Sequence, residues 1–310
     1  MRIVFFGTGK FGLPSLKKLL ESDHEIVAVV TQPDRKKGRG WNIQASPVKA
    51  FIEQAAPAAG VLQPVKASDR SFISSLRERD TDLFVVIDYG QILSREVLDI
   101  PKKYCINLHP SLLPKYRGAS PVNWTVINGE SETGNTVIKI DERMDAGEVI
   151  MQEKLTVAKE DDAEVLLDKL SLKGVELLIK ALEEIESGTE SFSPQDESAA
   201  SYAPKLKKED GQIDWSLTSS RIICKTKGLK PWPVAFTYLE GKTLKILEAE
   251  DANNITEALA PGTICDKNEF IVKTGDGAIK INKLQMEGKR VMPSSEFLKG
   301  YRTGKGIVLG

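Results

Sequence analysis

Two polar side chains interrupt an apolar run at Cys105-Ile106-Asn107-Leu108-His109-Pro110. Side chains of a strand alternate between faces, so Asn107 and His109 share one. An amide and an imidazole side by side can donate hydrogen bonds to a carbonyl oxygen that gains charge under attack. The imidazole is also a general acid or base. Left unpartnered in an apolar strand, such groups cost ~1–3 kcal/mol each. The pair is therefore either bonded to backbone as structure or kept for chemistry, and spacing alone leaves the two readings level. The other histidine, His24, stands beside Asp23 ahead of a strand, where a solvated turn is expected. Further on, Asp141-Glu142-Arg143-Met144-Asp145-Ala146-Gly147-Glu148 is an acidic turn between two strand-like runs. A carboxylate there can fold back toward His109, although most acids at turns serve the turn alone.

A second chemistry competes with the first. Gly7-Thr8-Gly9-Lys10-Phe11-Gly12 follows an apolar run, and Asp34 lies 22 residues beyond Gly12. On its face this is a dinucleotide fingerprint, and an NAD(P)-dependent oxidoreductase is the alternative it supports. Leu13-Pro14 delays the helix that should receive the pyrophosphate, and Asp34 falls in the polar, basic stretch Pro33–Gly40. Glycines at a tight strand-to-helix turn also serve packing alone, and that reading is preferred.

The elements that must position these residues read as alternating strands and helices. Strands are expected at 2–7, 25–32, 82–88, 105–109, 136–141 and 148–157, and helices at 14–22, 46–54, 71–79 and 94–100. The alternation indicates an α/β, doubly wound, Rossmann-like and mostly parallel sheet, which binds ligands at the carboxyl ends of its strands. Both Asn107 and His109 sit at such an end. A long helix over 162–187 follows, with Val165, Leu166, Leu170, Leu177, Leu178, Leu182 and Ile185 at helical intervals. Residues 187–211 are rich in Ser, Pro and charge, as linkers are. After a short helix at 219–228, strands broken by Glu240-Gly241-Lys242, Asp266-Lys267-Asn268 and Gly275-Asp276-Gly277 suggest a smaller β-barrel, OB-like in type. The expected division is 1–188 as a catalytic domain, 189–206 as a linker and 207–310 as the C-terminal barrel.

Composition sets the class. The chain has 310 residues, 41% hydrophobic and 28% charged, with a net charge of −1, which is ordinary for a soluble two-domain protein. Residues 207–310 hold 17 Lys and Arg against 13 Asp and Glu, a mild excess that suits an anionic partner. Cys105, Cys224 and Cys265 are far apart in sequence, which fits a reducing cytosol rather than a disulfide framework. No spacing suggests a metal, and no run is long enough to span a membrane.

The stretch Asn107-x-His109-x-Ser111-Leu112-Leu113-Pro114-x-x-Arg117-Gly118, followed by Met144-Asp145-Ala146-Gly147-Glu148-Val149-Ile150, resembles the N10-formyltetrahydrofolate-dependent formyltransferases. The resemblance implies a catalytic triad of Asn107, His109 and Asp145 and a co-substrate, 10-formyltetrahydrofolate. Asn107 and His109 would donate to the oxygen of the transferred formyl group. An ordinary imidazole is mostly neutral at pH 7, and the Asp145 carboxylate beside it would favour the charged ring or take the proton lost by the attacking amine. Ser111, Leu112, Leu113 and Pro114, with Tyr89, Gly90, Gln91, Ile92 and Leu93, would border the folate. The loop Thr31–Gly40 leading to Ser46-Pro47-Val48-Lys49 is similar to one that family members acting on tRNA carry. It implies initiator Met-tRNA as partner, met by Lys36, Lys37, Arg39 and Lys49, while a sugar-nucleotide acceptor remains the alternative within the same chemistry. Ile213-Asp214-Trp215 and Pro231-Trp232-Pro233 resemble the start of the same members' C-terminal barrel. A cytoplasmic monomer without metal is the expectation. Two segments depart from the family pattern: Gly7-Thr8-Gly9-Lys10-Phe11-Gly12 stands where the family usually reads GTPxFA, and Asp88 stands where the family has Ala before Tyr-Gly.

Overall fold

A computed structural model describes the chain apart from residues 38–41, 253–257, 267 and 302–305, and apart from the side chains of residues 36, 37, 42 and 58. It contains two compact units. The first comprises Met1–Pro121, Glu132–Thr156 and Leu167–Ala203, and the second Val122–Ser131, Val157–Leu166 and Pro204–Gly310.

The first unit follows the alternation read from the sequence: β1 (Arg2–Gly7), α1 (Leu13–Leu20), β2 (Glu25–Val30), β3 (Arg35–Lys37), β4 (Asn42–Gln44), α2 (Pro47–Ala55), β5 (Val61–Leu62), α3 (Arg70–Arg77), β6 (Leu83–Ile87), α4 (Arg95–Leu98) and β7 (Tyr104–His109). Then come β8 (Glu132–Lys139), β9 (Val149–Thr156) and most of the long α6 (Ala163–Ser187), while α5 (Pro121–Ile127) falls almost wholly in the second unit. Seven strands form one sheet in the order β5-β2-β1-β6-β7-β8-β9. Pairing is parallel from β5 to β7 and antiparallel across β7-β8-β9. The mostly parallel sheet thus carries an antiparallel edge, which the strand patterns alone do not reveal. Strands covered on both faces carry continuous apolar runs, as Leu83-Phe84-Val85-Val86-Ile87 does, with every residue buried. The edge strand β9 instead alternates buried or half-buried with exposed positions along its second half.

Val4 and Phe6 of β1 pack on one face with Val30, Phe72, Phe84 and Tyr89. Helix starts are chemically marked. Pro14 stands in the first turn of α1, and the Ser46 hydroxyl caps α2 by accepting from the Lys49 N–H at 3.0 Å. Along α6 the expected leucines and Ile185 are buried, but Val165 is exposed and belongs to the outer face.

The second unit is a smaller antiparallel β unit: α7 (Ser219–Gly228), β10 (Ala235–Leu239), β11 (Lys242–Asp251), β12 (Ile264–Asp266), β13 (Ile271–Lys273), β14 (Ala278–Met286), β15 (Met292–Pro293) and α8 (Ser294–Gly300). The strand order is β10-β11-β14-β13-β12, with β15 also on β14. Glu240 and Gly241 close the β10–β11 hairpin with φ of 51° and 75°, the signature of the two-residue turn that suits strand twist. Trp215 is buried in this unit's core and donates from its indole to the Thr237 hydroxyl at 3.1 Å.

Candidate active site

The last residues of β7 deliver Asn107 and His109 to the carboxyl end of the sheet, on one face. His109 is 4% exposed and Asn107 half-buried. The ring Nε2 of His109 lies 3.0 Å from the carbonyl of Tyr116. A carbonyl only accepts, so Nε2 carries the proton and donates. Nδ1 then faces the Asp145 carboxylate at 3.7 Å. That distance is beyond hydrogen-bond reach yet within van der Waals contact, with no room for an atom between ring and carboxylate. The neutral ring offers a lone pair at Nδ1, and a second proton turns Nδ1 into a donor.

Asp145 arrives from the turn between β8 and β9 with φ of 50°, a left-handed conformation that Asp tolerates better than most residues. One carboxylate oxygen accepts from the Asn107 amide at 3.4 Å and the other from the Gly118 N–H at 2.8 Å. The acidic turn therefore does fold back to His109. The site stays open enough that 18% of the Asp145 side chain reaches solvent.

The segment Ser111–Gly118 forms the facing wall. Ser111 is buried, its hydroxyl donating to the Lys115 carbonyl at 2.7 Å and its carbonyl accepting from Thr136 at 2.6 Å. Thr136 also accepts from the Leu113 N–H at 3.2 Å, and Gln152 donates to the Leu113 carbonyl at 2.7 Å. Leu113 is buried, while Leu112 and Pro114 are half-buried. Tyr116 has φ of 62° and its N–H donates to the Ser201 hydroxyl at 2.9 Å.

That last contact belongs to a stretch the sequence reading leaves as linker. Ser201 and Ala203 exchange backbone hydrogen bonds with Arg117 at 2.9 and 2.7 Å, and Ser193 pairs with Val149. Gly118 has φ of 119°, and a Cβ there would stand 2.8 Å from the Ala203 carbonyl. Residues 193–203 therefore lie as a strap over the Tyr116–Gly118 wall. Gln195, Arg117 and Ser201 all take part in holding the site. Only Arg117 and Gly118 sit in a motif that draws notice, because a strap tied by scattered backbone and side-chain bonds to distant residues leaves no periodicity to read.

The second expected wall follows β6. Tyr89 and Leu93 are anchored in the apolar core, Tyr89 against Phe6 at 5.3 Å between ring centroids. Gln91 is occupied with backbone, accepting from Ala67 at 2.8 Å and donating to Val65 at 3.3 Å. Gly90 has φ of 84° with open space where a Cβ would stand, and Ile92 is 79% exposed. Of this loop, the Gly90 backbone and the Ile92 side chain are therefore free to meet a ligand.

Asp88, with φ of 52°, sets its carboxyl against Gly9, where a Cβ would overlap it. Gly9 and Asp88, two of the departures from the family pattern, thus fit one another. One side of Asp88 meets solvent, yet the protein crowded around its carboxyl pushes the pKa up to about 6.

The competing fingerprint is explained without a dinucleotide. A Cβ at Gly7 or Gly12 would press on Phe5 and Ile87, and one at Gly9 would overlap the Asp88 carboxyl. Asp34 is taken up by Lys49 at 2.7 Å and Gln63 at 2.8 Å. Lys49 consequently fixes the base of the basic loop and is not a free cation. The loop carries the short hairpin β3–β4, which its polar composition does not suggest. Arg39 and the side chains of Lys36 and Lys37 lie outside the described residues. Among the described residues there is no group of three or more His, Cys, Asp or Glu that could hold a metal, and no helix is long and apolar enough to cross a membrane.

Residues 1–182 match the family model described as formyl transferase, and residues 205–302 match that of the formyl transferase C-terminal domain. The chain is 42% identical over 312 residues to the methionyl-tRNA formyltransferase of Geobacter metallireducens, covering 100% of this chain and 99% of the relative. It is 44% identical over 314 residues to that of Pelotomaculum thermopropionicum, with 100% and 99% covered. Among solved structures it resembles a sugar 3N-formyl transferase, WlaRD, at a TM-score of 0.68 and 20% identity, over 94% of this chain and 99% of that one. It also resembles HypX from Aquifex aeolicus in complex with tetrahydrofolic acid, at 0.65 and 21%, over 99% of this chain and 50% of the other. At such identities these two likenesses speak for the fold alone.

Proposed function

The chain belongs to the formyl transferase family, and from that premise we propose that it transfers the formyl group of 10-formyltetrahydrofolate to the amino group of methionine on initiator Met-tRNA. The observation that carries the site assignment is the convergence on Asp145. Its carboxylate receives Asn107 on one oxygen and Gly118 on the other, with His109 Nδ1 facing it at 3.7 Å.

The folate, when bound, supplies an amide-like formyl carbon for the attack of a neutral amine. Asn107 donates its amide hydrogen to the formyl oxygen as that oxygen gains charge. The contact it gives up, 3.4 Å to Asp145, is long and weak. His109 donates from Nδ1 to the same oxygen. Because Nε2–H is committed to Tyr116, this role requires the doubly protonated ring. Asp145 receives the proton that the amine loses, and that proton passes to the folate nitrogen as its bond to the formyl carbon breaks. The Gly118 N–H keeps the carboxylate oriented for both duties.

The residues present fit the folate in a specific manner. Tyr89, Leu93, Ser111 and Leu113 shape the walls from within, since all four are buried. The ligand's flat ring would meet Ile92, Leu112 and the backbone at Gly90 and Pro114, and its polar edges would be satisfied by main chain. On the tRNA side, Lys36, Lys37 and Arg39 would contact phosphates of the acceptor end, which position an RNA without reading its sequence. Lys49 contributes by bracing Asp34 at the loop's base.

The test is to incubate the protein with 10-formyltetrahydrofolate and Met-tRNA and to separate the products. Formyl-Met-tRNA is expected. Its absence with folded protein, or a preference for an amino sugar nucleotide as acceptor, contradicts the assignment.

A further inference from the structure

The side-chain amide of Gln195 is bonded on both ends. Its Oε1 accepts from Arg117 Nε at 3.0 Å and Nη2 at 2.8 Å, and its Nε2 donates to the carbonyls of Asp145 and Gly147, both at 2.8 Å. The orientation of the amide is dictated by its partners, because a guanidinium only donates and a carbonyl only accepts. Arg117 is 2% exposed, and Glu197 accepts from its Nη1 at 2.9 Å and its Nη2 at 3.2 Å. The next residue, Gly118, donates to the Asp145 carboxylate at 2.8 Å. The bonds thus close a ring: Gln195 holds Arg117, Gly118 holds the Asp145 side chain, and Gln195 holds the Asp145 backbone. Asp145 stands in a left-handed conformation that persists only where the surroundings impose it.

We propose that Gln195 is a positioning residue for formyl transfer, fixing Asp145 against Asn107 and His109 by tying the Asp145–Gly147 turn to the buried Arg117. This rests on the reading of Asn107, His109 and Asp145 as the transfer centre. A carboxylate that must keep its place beside His109 Nδ1 at 3.7 Å is sensitive to its backbone, since ~1 Å of misplacement can lower a rate ~10²-fold.

Gln195→Glu separates the two ends of the amide. It keeps acceptors for Arg117, loses both donors to the turn, and sets negative charge against two carbonyls. The proposal expects kcat to fall ~10–100-fold with the KM values for both substrates and the thermal midpoint close to those of the parent. The near-isosteric Gln195→Met, which loses both ends, should fall at least as far, and it serves if the Glu variant does not fold. Asp196→Asn, next to Gln195 on the strap but with its carboxylate bonded to Ser198 and to neither Arg117 nor the Asp145 turn, should keep kcat. Hydrogen exchange at the Gly118 amide should quicken in both Gln195 variants, and this readout needs no turnover. If the parent protein makes no formyl-Met-tRNA, the functional reading fails, while Gly118 exchange still judges the tie itself. Parent-like kcat in a folded Gln195 variant overturns the proposal. So does a loss carried by KM for Met-tRNA, an equal loss in Asp196→Asn, or unchanged exchange at Gly118.

Discussion

At the scale of single residues, the site is a set of constraints placed on one carboxylate and one ring. His109 has its tautomer chosen by the Tyr116 carbonyl, so its catalytic use depends on whether Nδ1 carries a proton. Asp88 is the other informative residue. Its carboxyl, pushed up to about 6 by crowding, keeps its proton in the folded chain over a range where the unfolded chain has lost it. Stability should therefore fall as pH rises from about 4 to 6, and the penalty should persist above that range. Asp88→Asn removes it. Because Asp88 is exposed, solvent weakens the effect: the variant's Tm should exceed the parent's slightly at pH 8 and match it near pH 4, read by thermal unfolding across pH. A pH-independent difference would show that the carboxyl is not desolvated. Asp88 stands out in the sequence only as an odd residue; its partnership with Gly9 requires two chain segments to be seen together.

At the scale of elements, β7, the β8–β9 turn, the Ser111–Gly118 wall and the strap over 193–203 each contribute one surface. The strap presses closely enough that Gly118 has no room for a side chain and has φ of 119°. Gly118→Ala should therefore destabilise the protein by about 2–4 kcal/mol through strain and overpacking, measured by urea unfolding, and should lower kcat as well. An unchanged unfolding midpoint would mean that the strap yields. Sequence periodicity revealed most of the elements of the first unit, because buried parallel strands and amphipathic helices write their burial into residue order. Asn107 and His109 could be placed on one face by the same rule. Three things could not be read that way. The antiparallel turn of β8 and β9 depends on pairing rather than composition. The β3–β4 hairpin sits in a polar loop. The strap is tied by Gln195, Ser201 and Ala203 to partners some fifty to eighty-five residues away. Asp145 reached the site on family likeness, since many chain turns of that composition never meet a histidine.

At the scale of the molecule, charge is divided rather than absent. The net charge is −1, while residues 207–310 carry a small positive excess, and Lys36, Lys37 and Arg39 concentrate positive charge in a loop whose base is braced by Lys49 and Asp34. A long anionic acceptor would use such charges and a folate bound at the sheet's end would not. KM for Met-tRNA should rise steeply with salt and KM for the folate should change little, as steady-state kinetics between low and moderate ionic strength would show. Arg39→Ala should raise KM for Met-tRNA and leave folate binding unchanged; weaker folate binding would contradict the role given to that loop. Each of these behaviours depends on a transfer centre at the end of β7. The most direct measurement is single-turnover formation of formyl-Met-tRNA by His109→Ala at saturating folate and tRNA. The account predicts a rate lower by ~10²–10³ with both substrates still bound, and a rate close to that of the parent would contradict it.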